Sequence, residues 1–170
     1  MEQIIGTREY KGRVDVTDPC YDRDTWCRLN DVEIKPGEYE CWADVWDNTQ
    51  TNGWGERVAR LGIRLLGSDE RTFNYLGEIG VDAGLAGFFE DKKDYTSEEW
   101  LEFCEEIDRS NSKAWILNEG FFSSSGYGDG GYPVYAARDA SGQIVALEIQ
   151  FISEDEEDDE EDEDWEDDEE

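Results

Sequence analysis

Three aspartates stand where a sheet protein commonly displays functional groups, at strand ends and in Gly-rich turns. Asp18 opens Asp18-Pro19-Cys20-Tyr21, Asp82 lies in Gly80-Val81-Asp82-Ala83-Gly84, and Asp129 lies in Gly126-Tyr127-Gly128-Asp129-Gly130. Carboxylates are hard oxygen ligands, so the three together would suit Ca²⁺ or Mg²⁺, or a cationic small molecule. Asp is equally a turn former, because its side chain accepts hydrogen bonds from nearby backbone N–H groups. On that second reading each aspartate caps its own turn. The Gly-rich stretch is not a nucleotide loop, since it lacks the Lys of a P-loop and does not open a helix after a strand.

Catalytic chemistry finds little support. The chain holds no His, which removes the usual general base near neutral pH and the commonest metal ligand. Ser123-Ser124-Ser125 has no neighbouring base, and among 46 acids no carboxylate pair stands out. The expectation is a protein without enzymatic activity and without a cofactor other than Ca²⁺ or Mg²⁺. Cys20, Cys27, Cys41 and Cys104 match no zinc spacing. The first residues, MEQIIGTREYKGR, lack the apolar stretch of a signal peptide. Reduced, structural thiols in the cytoplasm are therefore expected.

Charge is the outlying property. Asp and Glu number 46 against 15 Lys and Arg, for a formal net charge of −31. Residues 154–170 are acidic except for Trp165, so −16 of that charge lies there and −15 on the rest. Both parts repel nucleic acid and anionic membrane, because like charges release no counterions from phosphate. No run of eighteen apolar residues is present to span a bilayer. The partner this charge favours is a basic protein, a polyamine or a metal cation. Residues 153–170 read as a disordered acidic tail, since so dense a block of like charge cannot offset its ordering entropy.

The elements that position these groups read as strands. Val14 and Val16 form a short one that Pro19 ends. After the Pro36-Gly37 turn, Tyr39, Cys41, Ala43 and Val45 alternate with Glu40, Trp42 and Asp44; Ala59, Leu61, Ile63 and Leu65 alternate with Arg60 and Arg64. Residues 73–82 make a further strand, and Leu85–Phe89 is an apolar segment of unassigned type. Trp42, Trp46 and Trp54 surround a polar loop, so the second face of that sheet is either covered or an aromatic patch. Thr96-Ser97-Glu98-Glu99 is a capping box, followed by the apolar stripe Trp100, Leu101, Cys104 and Ile107. Tyr132–Arg138 and Ile144–Ile152 flank a Gly-containing turn, as in a hairpin. These signals predict a mainly-β (α+β) domain over 1–152, an antiparallel sheet curled into a sandwich or partial barrel with one packed helix.

Taken in order, Asp18-Pro19-Cys20-Tyr21, Gly80-Val81-Asp82-Ala83-Gly84 and Gly126-Tyr127-Gly128-Asp129-Gly130-Gly131-Tyr132-Pro133-Val134-Tyr135 resemble a family of uncharacterised proteins from bacteria and their phages. The resemblance spans roughly residues 12–152 and implies a shared domain of phage or mobile-element origin, with no activity attached.

The functional expectation is thus an acidic interaction protein, an inhibitor of the anti-restriction or anti-CRISPR kind. It would mimic nucleic acid and occupy the basic surface of a nucleic-acid-handling protein. Glu154, Asp155, Glu156, Glu157, Asp158, Asp159 and Trp165 would make the contact, the indole serving as anchor. Two alternatives stay open: a small-molecule or Ca/Mg-binding β domain built on Asp18, Asp82 and Asp129, and an immunity protein that neutralises a basic toxin.

Overall fold

The computed structural model describes residues 2–47, 56–70, 72–82, 84–90, 94–110, 114–117, 120–124 and 130–152. They form two antiparallel sheets and one helix, as the alternation predicts. In chain order the elements are β1 (Glu2–Tyr10), β2 (Arg13–Thr17), β3 (Leu29–Glu33), β4 (Gly37–Asp47), β5 (Glu56–Leu65), β6 (Phe73–Val81), β7 (Leu85–Phe89), α1 (Ser97–Ser110), β8 (Ala114–Leu117), β9 (Gly120–Ser124), β10 (Gly130–Arg138) and β11 (Ile144–Gln150). One sheet runs β1-β4-β5-β11-β10-β6 and the other β3-β2-β7-β9-β8.

The main core lies between the sheets. Cys41, Leu61, Ile63, Leu147, Ile149 and Val134 meet Val16, Phe88 and Phe121 there, all buried. Burial pushes the Cys41 thiol up to about 12, and all four cysteines are free, Cys41 buried and the others half-buried. Tyr10, at the end of β1, donates its hydroxyl proton to the Phe88 carbonyl at 2.9 Å and so ties one sheet to the other. The sheets do not close into a barrel, but their edges converge. A Cβ on Gly6 of β1 would lie 2.9 Å from Ile116 Cδ1 of β8, and one on Gly77 of β6 would lie 3.1 Å from Leu29 of β3.

A second, smaller core holds α1 against the outer face of the five-stranded sheet. Phe103 packs 5.2 Å from Phe122, centroid to centroid, with Tyr95, Trp100 and Trp115 around it. The apolar stripe is therefore Trp100, Phe103 and Ile107, with Cys104 half-buried, and Leu101 points outward at 63% exposure. The expected stripe placed Leu101 inside. The helix rotates instead to seat the larger Phe ring, which buries more area and packs on Phe122 with the rings tilted by 36°. The capping box forms as expected: Glu99 N donates to Thr96 Oγ1 at 3.1 Å and Thr96 N donates to Glu99 Oε1 at 3.0 Å. Thr96→Ala is expected to cost about 1 kcal/mol, read from the midpoint of urea unfolding.

Around Trp42 the outer face of the six-stranded sheet is covered rather than an aromatic patch, while Tyr75 of β6 stays 63% exposed beside Tyr135. Trp42 is only 3% exposed, and its indole lies across Gly62, where a Cβ would sit 2.3 Å from the ring. The Arg60 and Arg64 guanidinium groups each lie 5.5 Å from the ring centroid. They in turn bridge carboxylates: Arg64 to Glu40 at 2.7 Å and Glu2 at 3.1 Å, Arg60 to Asp44 at 2.9 Å and Glu148 at 3.4 Å. Burial raises the Glu148 pKa above the usual carboxylate range, with Arg60 opposing. Trp54 lies outside the described residues.

Candidate functional site

β2 ends at Thr17 because Asp18 leaves the ladder and Pro19 cannot rejoin it. Asp18 is fully buried. Its Oδ1 accepts the Cys20 N–H at 2.8 Å, and its backbone carbonyl accepts the Tyr21 N–H at 3.1 Å, which closes the turn. Its Oδ2 reaches across to the Asp82 N–H at 2.8 Å. Asp18 thus caps its own turn and also fastens the first Asp-containing segment to the second. Asp82 itself is exposed.

The third segment arrives at the same corner through the sheet. Gly130 pairs with Val81 and Gly131 with Gly80 in the β10–β6 ladder. Asp129, the residue before Gly130, lies outside the described residues, as do Glu154, Asp155, Glu156, Glu157, Asp158, Asp159 and Trp165. Gly80 faces a close neighbour. A Cβ there would sit 2.8 Å from Cys27 Sγ, and Gly80 N donates to the Cys27 carbonyl at 2.9 Å. That bond occupies the open edge of β6, which would otherwise offer an unpaired N–H to another strand. Burial, then the hydrogen bond with Cys27, raises the Tyr21 hydroxyl pKa well above its ordinary value. Among the described residues no group of three His, Cys, Asp or Glu is placed to hold a metal ion.

The loop from Asp18 to Arg28 is held by a polar network that sequence reading missed. Arg28, with a side chain 1% exposed, donates through Nη2 to Asp15 Oδ2 at 3.1 Å. Its Nη1 donates to the Tyr21 carbonyl at 2.8 Å and its Nε to Asn30 Oδ1 at 2.6 Å. Arg23 Nη1 adds a second contact to Asp15 Oδ2 at 3.2 Å, and Arg23 also pairs with Asp31. Burial lowers the Arg28 pKa, and Asp15 works against that shift. Asp31 adopts a φ of 57° while its N–H donates to Asp15 Oδ1 at 2.9 Å. In the primary structure no periodic signal marks this network, because its partners lie on β2, in the loop after it and in β3.

These observations place the three Asp-containing segments side by side at one corner of the fold. A family model, described as a protein of unknown function (DUF4241), matches residues 10–149. The chain belongs to this family. The DUF4241 region holds Asp18, Asp82 and Asp129 and stops short of the acidic residues 154–170. No curated protein and no solved structure matches the chain. The family description carries no activity, so the chemistry must be argued from the surface.

That surface divides its charges unevenly. Arg8, Arg23, Arg28, Lys35, Arg60 and Arg64 are in ion pairs with carboxylates of the folded body. Residues 97–107 of α1 contain no Lys or Arg, and Glu98, Glu99, Glu102, Glu105 and Glu106 are all exposed there, with Leu101 among them. Among the described residues no helix is long and apolar enough to cross a membrane.

Proposed function

We propose that this DUF4241 protein is an acidic inhibitor that binds the basic surface of a nucleic-acid-handling protein by charge mimicry, of the phage anti-restriction or anti-CRISPR type. The observation that carries this reading is the separation of charge. Many of the fold's cations are engaged by its own carboxylates, whereas the outer side of α1 offers anions to solvent and residues 154–170 are acidic except for Trp165. A surface of this sign attracts Lys/Arg grooves over a Debye length and speeds encounter with them. Leu101 supplies an apolar contact inside the acidic helix face, the combination an interface core requires. An immunity protein against a basic toxin would use the same physics.

A divalent-cation or small-molecule site at Asp18, Asp82 and Asp129 is the rival reading. It is supported by the meeting of the three segments at one corner and opposed by the engagement of both Asp18 oxygens with backbone N–H groups. Calorimetric titration with Ca²⁺ and Mg²⁺ separates the two, since tight binding abolished in Asp129→Asn would support the rival. The leading reading is tested by capture from host lysate at about 50 and 300 mM salt. The expected result is retention of a basic, nucleic-acid-binding protein at the lower concentration and its loss at the higher. Deleting residues 154–170 is expected to weaken capture, while unchanged capture would assign the contact to the folded body. Capture indifferent to salt would overturn the mechanism.

A further inference from the structure

We infer that the Asp18–Arg28 loop is a rigid docking element that seats an arginine side chain of a basic partner against the Trp26 indole. The inference rests on the reading of the protein as a binder of basic surfaces and names where on the fold the partner's cation goes. Trp26 is 91% exposed, which is exceptional for a residue type that is highly buried on average. Its exposure is not the result of a slack chain. Thr25 N donates to the Asp22 carbonyl at 3.0 Å, Arg23 N to Asp94 Oδ1 at 2.8 Å, and the Cys27 carbonyl accepts the Gly80 N–H at 2.9 Å. Arg28, next along, is anchored by three acceptors. The indole is therefore held outward by a backbone tied on both sides of it, with little ordering entropy left to lose on binding.

The ligand chemistry follows from how the same chain partners two aromatic rings on its folded body, Tyr10 and Trp42, both of them buried. At two places an aromatic ring beside carboxylates has an arginine over it. Arg8 sits 4.5 Å above the Tyr10 ring and pairs with Glu90. Arg60 and Arg64 lie over Trp42 and pair with Asp44 and Glu40. Trp26 has carboxylates close to it in sequence, Asp24 two and Asp22 four residues before it, both exposed. Yet among the described residues it has no ring or cation partner. The loop's two arginines are already committed, Arg23 to Asp15 and Asp31 and Arg28 to Asp15. An incoming guanidinium would complete the motif, stacking on the indole while a neighbouring carboxylate takes its N–H groups.

The test uses the full chain, ¹⁵N-labelled, titrated with an octa-arginine peptide at about 150 mM salt, where diffuse attraction is largely screened. The Trp26 indole resonance is identified by its absence from the Trp26→Phe spectrum. It is expected to shift saturably, and Trp26→Ala is expected to weaken the peptide about threefold to tenfold. Octa-lysine, which cannot stack as a plane, should shift it less. An unmoved Trp26 resonance with peptide still bound in a salt-sensitive way would overturn the loop assignment and leave the charge reading intact. Absence of peptide binding even at about 50 mM salt would overturn both.

Discussion

Arg28→Met is expected to lower the free energy of unfolding by about 3–5 kcal/mol, the range for breaking one side of a buried ion pair. The guanidinium is enclosed and bonded to Asp15, the Tyr21 carbonyl and Asn30. Its removal leaves Asp15, 5% exposed, with a half-exposed arginine as its remaining cation. It also strands the Tyr21 carbonyl. Arg28→Lys should recover only part of the loss, because a single ammonium cannot reach three acceptors in different directions. Removing both charges, in Arg28→Met with Asp15→Leu, should cost less than Arg28→Met alone, since no buried charge is then left uncompensated. Urea unfolding of the four proteins checks the series. A loss below about 1 kcal/mol for Arg28→Met would show that the loop is not pinned as described.

Asp18→Ala carries the second large effect, about 2–4 kcal/mol, because two backbone N–H groups lose the buried, charged acceptor they share. The Cys20 N–H belongs to the turn, and the Asp82 N–H belongs to the end of β6. The substitution thus releases the Asp18 segment from the Asp82 segment, and the Trp26 loop with it. Asp18→Asn keeps one acceptor oxygen and should lose about half as much. Thermal unfolding with Ca²⁺ and with a chelator gives the discriminating control. A purely capping Asp18 predicts the same Tm in both. A Tm that calcium raises in the natural sequence, and not in Asp18→Asn, would move the weight to the cation-site reading.

Much of the sheet was legible because its strands carry one wet and one dry face. The alternation in Tyr39–Val45 and Ala59–Leu65 became β4 and β5, and the Gly-containing turn at Asp139–Gln143 became the β10–β11 hairpin. Asp139 explains that turn locally: Ser141 Oγ donates to its carboxylate at 2.7 Å, and the Ser141 hydroxyl contact is the main cause holding its pKa down at about 2. Strands without alternation escaped. β1 is an edge strand, largely exposed on both sides along Glu2–Ile5. β7 and β9 are covered on both faces, by the other sheet within and by α1 without, so Leu85–Phe89 reads as a bare apolar run. The outward turn of Leu101 was hidden because Leu101 stands three residues before Cys104 and Phe103 three after Trp100, so each fits a helical spacing although the two lie on opposite sides.

For the site, the local part was readable and the long-range part was not. That Asp18 caps its own turn follows from its chemistry, and that it also holds Asp82 follows only from the fold. The tie between Asp15 and Arg28 spans a loop with no periodic signal, and the exposure of Trp26 depends on that tie. Both therefore became visible only with the two sheets in place.

The central claim, that this protein takes the place of nucleic acid on a basic surface, is tested most directly by competition. A captured partner is loaded with a fluorescent DNA duplex and titrated with the full chain at about 100 mM salt. Charge mimicry predicts that the duplex is displaced completely, with a midpoint that rises steeply as salt is added. A stable ternary complex, in which DNA stays bound while this protein also binds, would contradict it.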